Sequence, residues 1–188
     1  MTDVTTTRPS KPNAAEQIEC LRGLRQIRQL RPDGVPTRAL QDILEVARWT
    51  GSARNIQPWD LIVIHDRHTL RTLATIEGGK APHLVNAGLG IALVMSGDLE
   101  QPDFDTYDEG RLSERIMLAA EAHGLGSAIG WFKDAASDEA KRILGVPSER
   151  LLRSIISIGV MDAEARRQRQ RPAQPRKPLT AIVHAERW

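Results

Sequence analysis

Two side-chain amides, Asn55 and Gln57, stand two residues apart in the segment Ser52-Ala-Arg-Asn-Ile-Gln-Pro-Trp59. Each amide can both donate and accept hydrogen bonds. The pair therefore suits the rim of a planar heterocycle, where donors and acceptors alternate. Pro58 stiffens the exit of the segment and Trp59 anchors it. A second set of residues is cationic: Arg22, Arg25, Arg28 and Arg31 recur at every third position. On an α-helix each step of three residues turns back about 60°, so Arg22 and Arg31 would face opposite ways. Arg25 and Arg28 then read either as part of a solvated helix face or as guanidinium forks for phosphate and polarised carbonyls.

Other chemistries lack their residues. The five histidines (His65, His68, His83, His123, His184) show no metalloprotease spacing, and the single cysteine, Cys20, excludes an internal disulfide and a cysteine-based zinc site. No metal site is expected. Gly78-Gly79 and Gly124-Leu-Gly-Ser127 do not make a dinucleotide fingerprint, there is no P-loop, and no serine sits in a nucleophile elbow. The basic run Arg166–Lys177 resembles a nucleic-acid tail in isolation, but it has no interleaved aromatics and lies between two apolar segments. It reads as a solvated connection whose distal end, Arg176 and Lys177, could reach a phosphate. Trp59 and Trp131 belong to a set of seven aromatics; each reads as core or as a wall beside a ligand.

The elements that must position these groups follow from apolar periodicity. With 188 residues and a formal charge of +2, the chain fits one domain, and nothing in its charge singles out nucleic acid as a partner. Residues 1–13 read as a disordered leader, with a single domain over 14–188. The leader has no apolar core and no run is long enough to span a bilayer, so a cytoplasmic protein is expected. Helical pattern runs from Ala14 to just before Pro32, then from Thr37 as N-cap through Ala47, where Leu40, Ile43, Leu44 and Ala47 form a core-facing stripe. Strand patterns cover Leu61–Ile64, Gly90–Met95, Gly126–Phe132 and Ile155–Val160, with Leu179–Val183 as a last strand. Between them lie helices at Thr69–Ile76, Glu109–His123 and Ser137–Leu144, and a polar loop at 97–106. Short strands among longer helices make an α+β or α/β domain.

Taken together, these segments resemble the nitroreductase family of flavin mononucleotide (FMN) oxidoreductases. The resemblance runs from about Glu19 to Trp188 and rests on anchors in the expected order. They are Leu24-Arg-Gln-Ile-Arg28 with Arg31-Pro-Asp-Gly-Val-Pro36, Gly51–Trp59, Leu118–Ser127, Leu144-Gly-Val-Pro147, Ile158-Gly-Val160, and Arg176-Lys-Pro-Leu-Thr180. The family implies an α+β, three-layer fold with a mostly antiparallel sheet flanked by helices, and a C-terminal strand exchanged with a dimer partner. It implies a homodimer with FMN at the subunit interface. Arg25, Gln26 and Arg28 would approach the phosphate, ribityl chain and ring edge, with Arg28 near N1 and the C2 carbonyl. Asn55 and Gln57 would bond the ring or ribityl, Gln57 from across the dimer. Ile129, Gly130 and Trp131 would pass beside the ring with a backbone amide near N5, and Arg176 would cap the phosphate. Two departures stand out: Leu24 and Gln26 occupy positions where the family often has Arg and Ser.

The implied activity is two-electron transfer from NAD(P)H to a nitroaromatic, quinone or similar acceptor by a ping-pong mechanism. The flavin N5 would carry the chemistry, so no catalytic side chain is required. Two alternatives remain at this level. One is a flavin-dependent dehydrogenase, oxidase or flavin-fragmenting member of the same superfamily. The other is a non-catalytic FMN-binding or basic-tail interaction protein.

Overall fold

Leu89–Met95 is apolar at every position and buried at every position, because helices cover both faces of the sheet it crosses. A computed structural model of the chain describes residues 13–98, 100, 102–168 and 175–188. The leader lies outside the described residues except for Asn13, and so does the middle of the basic run. In chain order the elements are α1 (Ala14–Gly23), β1 (Leu30–Arg31), α2 (Thr37–Arg48), β2 (Trp59–Ile64), α3 (Arg67–Ala74), β3 (Leu89–Met95), α4 (Pro102–Ala122), β4 (Gly126–Trp131), α5 (Ala135–Leu144), β5 (Leu151–Met161) and α6 (Ala163–Gln168). Short 3-10 turns occupy Ala53–Asn55, Pro82–Asn86 and Leu179–Ala181.

The five strands form one sheet in the order β1-β5-β3-β2, with β4 also paired to β5, and every strand pair is antiparallel. Side chains alternate between faces along each strand. Leu89, Ile91, Leu93, Ile156 and Ile158 meet Ala39, Ile43 and Ala47 of α2 and Leu112, Ile116 and Ala120 of α4 in one core. Ala92, Val94, Leu152 and Ile155 meet Leu70 and Leu73 of α3, Leu84, Phe132 and Ala136 and Ala140 of α5 in a second. This is an α+β, three-layer arrangement with the sheet in the middle.

Four local expectations are corrected. The first helix stops at Gly23 because α1 buries none of its residues; Ile27 and Leu30 instead enter a small cluster with Ala87, which extended chain reaches and a helix would not. Pro36, not Thr37, is the N-cap of α2. The polar stretch 97–106 is half helix, since α4 begins at Pro102 with Asp103 and Asp105 in its first turn, where acids favour the helix dipole. Finally, Leu179–Val183 is no strand: Ile182 and Val183 both bond back to Leu179 O in a tight turn, and Leu179, Ile182 and Val183 are exposed.

Candidate functional site

Once α1 ends, Arg25 and Arg28 no longer share a helix with Arg22. Arg25 Nη1 donates to Arg22 O at 2.7 Å and Leu24 O at 2.6 Å, satisfying carbonyls that the helix end leaves open. Gln26 and Ile27 then run along the outer edge of β4, where Ile27 N donates to Ser127 O at 2.7 Å. Arg28 Nη2 donates to Gln26 Oε1 at 2.9 Å. This course opens a cavity of about 750 Å³ lined by Arg22, Arg25, Gln26, Ile129 and Arg176, with Glu19 and Glu114 on its wall. The volume falls in the range of small-molecule and cofactor sites. Four of the residues expected from sequence, Arg25, Gln26, Ile129 and Arg176, are therefore brought together.

Gly130 and Trp131 stand beside that group in a different way. A Cβ at Gly130 would lie 2.6 Å from the Ala81 Cβ, so glycine is what lets the strand touch the chain before the Pro82 turn. Trp131 is 40% exposed, with the Arg153 guanidinium 5.8 Å from its ring centre. Arg153 is held in turn by the buried Glu109, with Nε 3.0 Å from Oε2. The Trp131 amide is already engaged, donating to Lys80 O at 3.3 Å while Lys80 N donates to Trp131 O at 2.7 Å.

Ile129 also turns to the outer edge of β4. In an antiparallel ladder, successive residues turn their peptide groups to opposite sides. Ser127 and Trp131 bond outward, to Ile27 and Lys80, and Phe132 bonds inward to Arg153 O at 2.7 Å. Ile129 therefore presents its N–H and C=O to the outer edge, midway between the two bridges. Continuing the Lys80–Trp131 register would set Pro82 opposite Ile129, and proline has no N–H to offer. The chain turns there into the Pro82–Asn86 3-10 turn, and the His83 ring of that turn bonds to the Ile129 backbone.

Asn55 and Gln57 lie elsewhere within one chain, and neither lines the Arg25 cavity. Their loop is exposed and strained: Arg54, Asn55 and Gln57 have φ of 51°, 57° and 53°. Ser52 holds it, with Ser52 Oγ accepting from Gln57 N at 2.8 Å, while Gln57 Nε2 donates to Asn55 O at 3.2 Å. Positive φ at a bulky residue persists only where surrounding structure imposes it, and such residues cluster at ligand sites. The loop faces α4 across an open cavity of about 480 Å³ lined by Ser52, Ala53, Phe104, Tyr107, Asp108 and Arg111.

The sequence reading missed His83. It lies in the Pro82–Asn86 turn, is 6% exposed, and its Nδ1 is 2.7 Å from Ser157 Oγ. Ser157 Oγ donates to Ala128 O at 3.3 Å. Burial, with the nearby Arg28 charge adding to it and the Ile129 backbone opposing it, holds the His83 pKa down to about 4. At neutral pH the ring is uncharged. The only trace in the sequence is a histidine directly after Pro82.

Known proteins share this fold. The nitroreductase family profile matches residues 21–93, the stretch that carries Arg25, Arg28, Asn55, Gln57 and His83. An NADH dehydrogenase of Thermus thermophilus is 29% identical, the match covering 72% of this chain and 82% of that protein. An FMN-dependent nitroreductase from Clostridium difficile R20291 is 26% identical, with a TM-score of 0.76 over 91% of this chain and 99% of that one. NfrA1 of B. megaterium, 20% identical, shares the fold with a TM-score of 0.77 over 92% of this chain and 75% of its own. The chain thus shares the fold of these proteins and is similar to the nitroreductase family over residues 21–93.

Proposed function

We propose that this chain is an FMN-dependent oxidoreductase that takes two electrons from NAD(P)H and passes them to a nitroaromatic, quinone or similar organic acceptor. The observation that carries the reading is the cavity in which Arg22, Arg25 and Arg176 meet Ile129 at the edge of β4. Phosphate needs cations and a flavin rim needs backbone donors and acceptors; both stand on one wall. Arg25 and Arg176 would hold the phosphate and Gln26 the ribityl chain. Arg28 would sit at the ring edge, where a cation favours negative charge on the pyrimidine side. Ile129 and Gly130 would flank the ring, with Trp131 at its margin. FMN bound there would supply reversible two-electron chemistry at N5, so the protein contributes binding, orientation and a fixed positive field.

Asn55 and Gln57 enter the reading through a second copy of the chain. Their loop and the exposed Trp49, Ile56, Leu179, Ile182 and Val183 suit a homodimer in which one protomer's loop completes its partner's cavity. NAD(P)H and acceptor would then use one pocket in turn, a ping-pong order. A cytoplasmic setting is in keeping with the described residues, where no helix is long and apolar enough to cross a membrane.

The purified protein should be yellow, or should gain protein-bound flavin absorbance when FMN is added. Anaerobic NADH or NADPH should bleach it, and a nitroaromatic or quinone should restore the colour. Colourless protein that takes up no FMN overturns the reading.

A further inference from the structure

Arg22 and Glu19 both line the Arg25 cavity, one turn apart on α1. Their contact is loose: Arg22 Nη1 lies 3.5 Å from Glu19 Oε2, with the two side chains 75% and 74% exposed. An exposed pair of this kind contributes little and is readily given up. Arg25 is less free. Its Nη1 donates to Arg22 O at 2.7 Å and to Leu24 O at 2.6 Å, which leaves Nε and Nη2 for a ligand. Those two bonds have a second effect. They cover carbonyls at the C-terminal end of α1, the end that would otherwise repel an anion. Around the cavity Arg22, Arg25 and Arg176 bring three positive charges, and Glu19 and Glu114 bring two negative ones.

A phosphate monoester carries a charge of about −1.5 to −2 at neutral pH. While Glu19 holds Arg22, the cations of this wall left to meet it are Arg25 and Arg176, with Glu114 opposing them. Once that pair opens, a third guanidinium becomes available. We propose that Arg22 grips the phosphate of the bound flavin mononucleotide, and that Glu19 is the counter-ion which the phosphate displaces. The ion pair keeps the arginine beside the cavity and sets how strongly the chain prefers FMN to riboflavin, which has the same ring and no phosphate. The assignment rests on the flavin reading above and adds a pair of residues which that reading does not use.

Binding of FMN and of riboflavin, each followed by quenching of flavin fluorescence, tests this. Wild type should bind FMN more tightly than riboflavin. Arg22→Ala should weaken FMN binding about 10-fold, the loss of one charge-assisted bond, and leave riboflavin within about twofold. Arg22→Lys should recover part of the loss, because it restores the charge without the fork. Glu19→Gln should tighten FMN binding about threefold, because no ion pair has to break first, and leave riboflavin unchanged. In the double variant that gain should vanish, because Glu19 acts only through Arg22. Both side chains are exposed, so the unfolding temperature without flavin should hold in every variant. Equal binding of the two flavins by wild type overturns the role of Arg22 and Glu19 while flavin binding stands. So does an Arg22→Ala loss that is the same for both flavins or absent for both, a Glu19→Gln variant that binds FMN more weakly, or a gain that survives in the double variant. A wild-type chain that binds neither flavin overturns the flavin reading itself.

Discussion

The β4 wall and the Ser52–Gln57 loop carry the two halves of the candidate site, and they are built by opposite means. The wall is made of strand and close packing: Gly130 against Ala81, Ile27 on Ser127, His83 on Ser157. Its polar groups are fixed by partners far away in sequence. The loop is exposed, held mainly by Ser52 and its own turn bonds, and kept in an unfavourable backbone conformation at Arg54, Asn55 and Gln57. The wall is thus preformed within one chain, whereas the loop stores strain and does not line the Arg25 cavity. Under the proposed homodimer, such a site would join a rigid half to one completed by the partner.

The sharpest way to break the contrast is overpacking. Gly130→Val should destabilise the fold by about 3 kcal/mol, because its first added carbon already meets Ala81. Urea unfolding measures this, and an equal loss from any single loop substitution would erase the distinction. Next in size is the cavity rim. Arg25→Ala or Arg176→Ala should weaken FMN binding about 30-fold each, the cost of losing a charge-assisted bond. Both residues are exposed, so the melting temperature without FMN should hold. A melting point that falls in step with affinity would make them structural.

Acid should act on the wall through His83. Its folded pKa of about 4 lies below the ordinary 6.5, so between those values the unfolded chain binds more protons than the folded one. Stability should therefore fall as pH drops below about 6.5 and level off below about 4. His83→Gln should flatten that part of the stability-versus-pH curve; an unchanged slope would place its origin elsewhere. The smallest effect has the opposite sign. Arg54→Gly should stabilise the chain by about 0.5–1 kcal/mol, because glycine adopts positive φ without the side-chain penalty. A thermal melt that moves down would show that the loop is not strained.

Much of this was legible in the residues themselves. The stripe at Leu40, Ile43, Leu44 and Ala47 marked a core helix, and the apolar runs marked β2, β3, β4 and β5 to within a few residues. Arg25, Gln26, Ile129 and Arg176 were named from motif order, and they line one cavity. The failures share a cause. The helix reads as starting only at Glu109 because Asp105, Asp108 and Glu109 break the apolar pattern ahead of Leu112. They are buried in α4 because Ser96 and Gly97 donate to Asp105, Arg111 pairs with Asp108 and Arg153 pairs with Glu109. Leu179–Val183 has strand composition but pairs with nothing among the described residues, and β-propensity without a neighbouring strand does not make one.

The sequence by itself determined which side chains are available for chemistry, arginines and amides whose order resembles the nitroreductase family, and it carries enough apolar alternation for a layered α+β domain. Only the tertiary structure decided where that chemistry meets. The chain leaves the edge of β4 at Pro82, and His83 packs on Ser157, 74 residues away in sequence. Periodicity reports which face of an element is buried. It cannot report which distant donor or acceptor arrives there, because that depends on how the layers close.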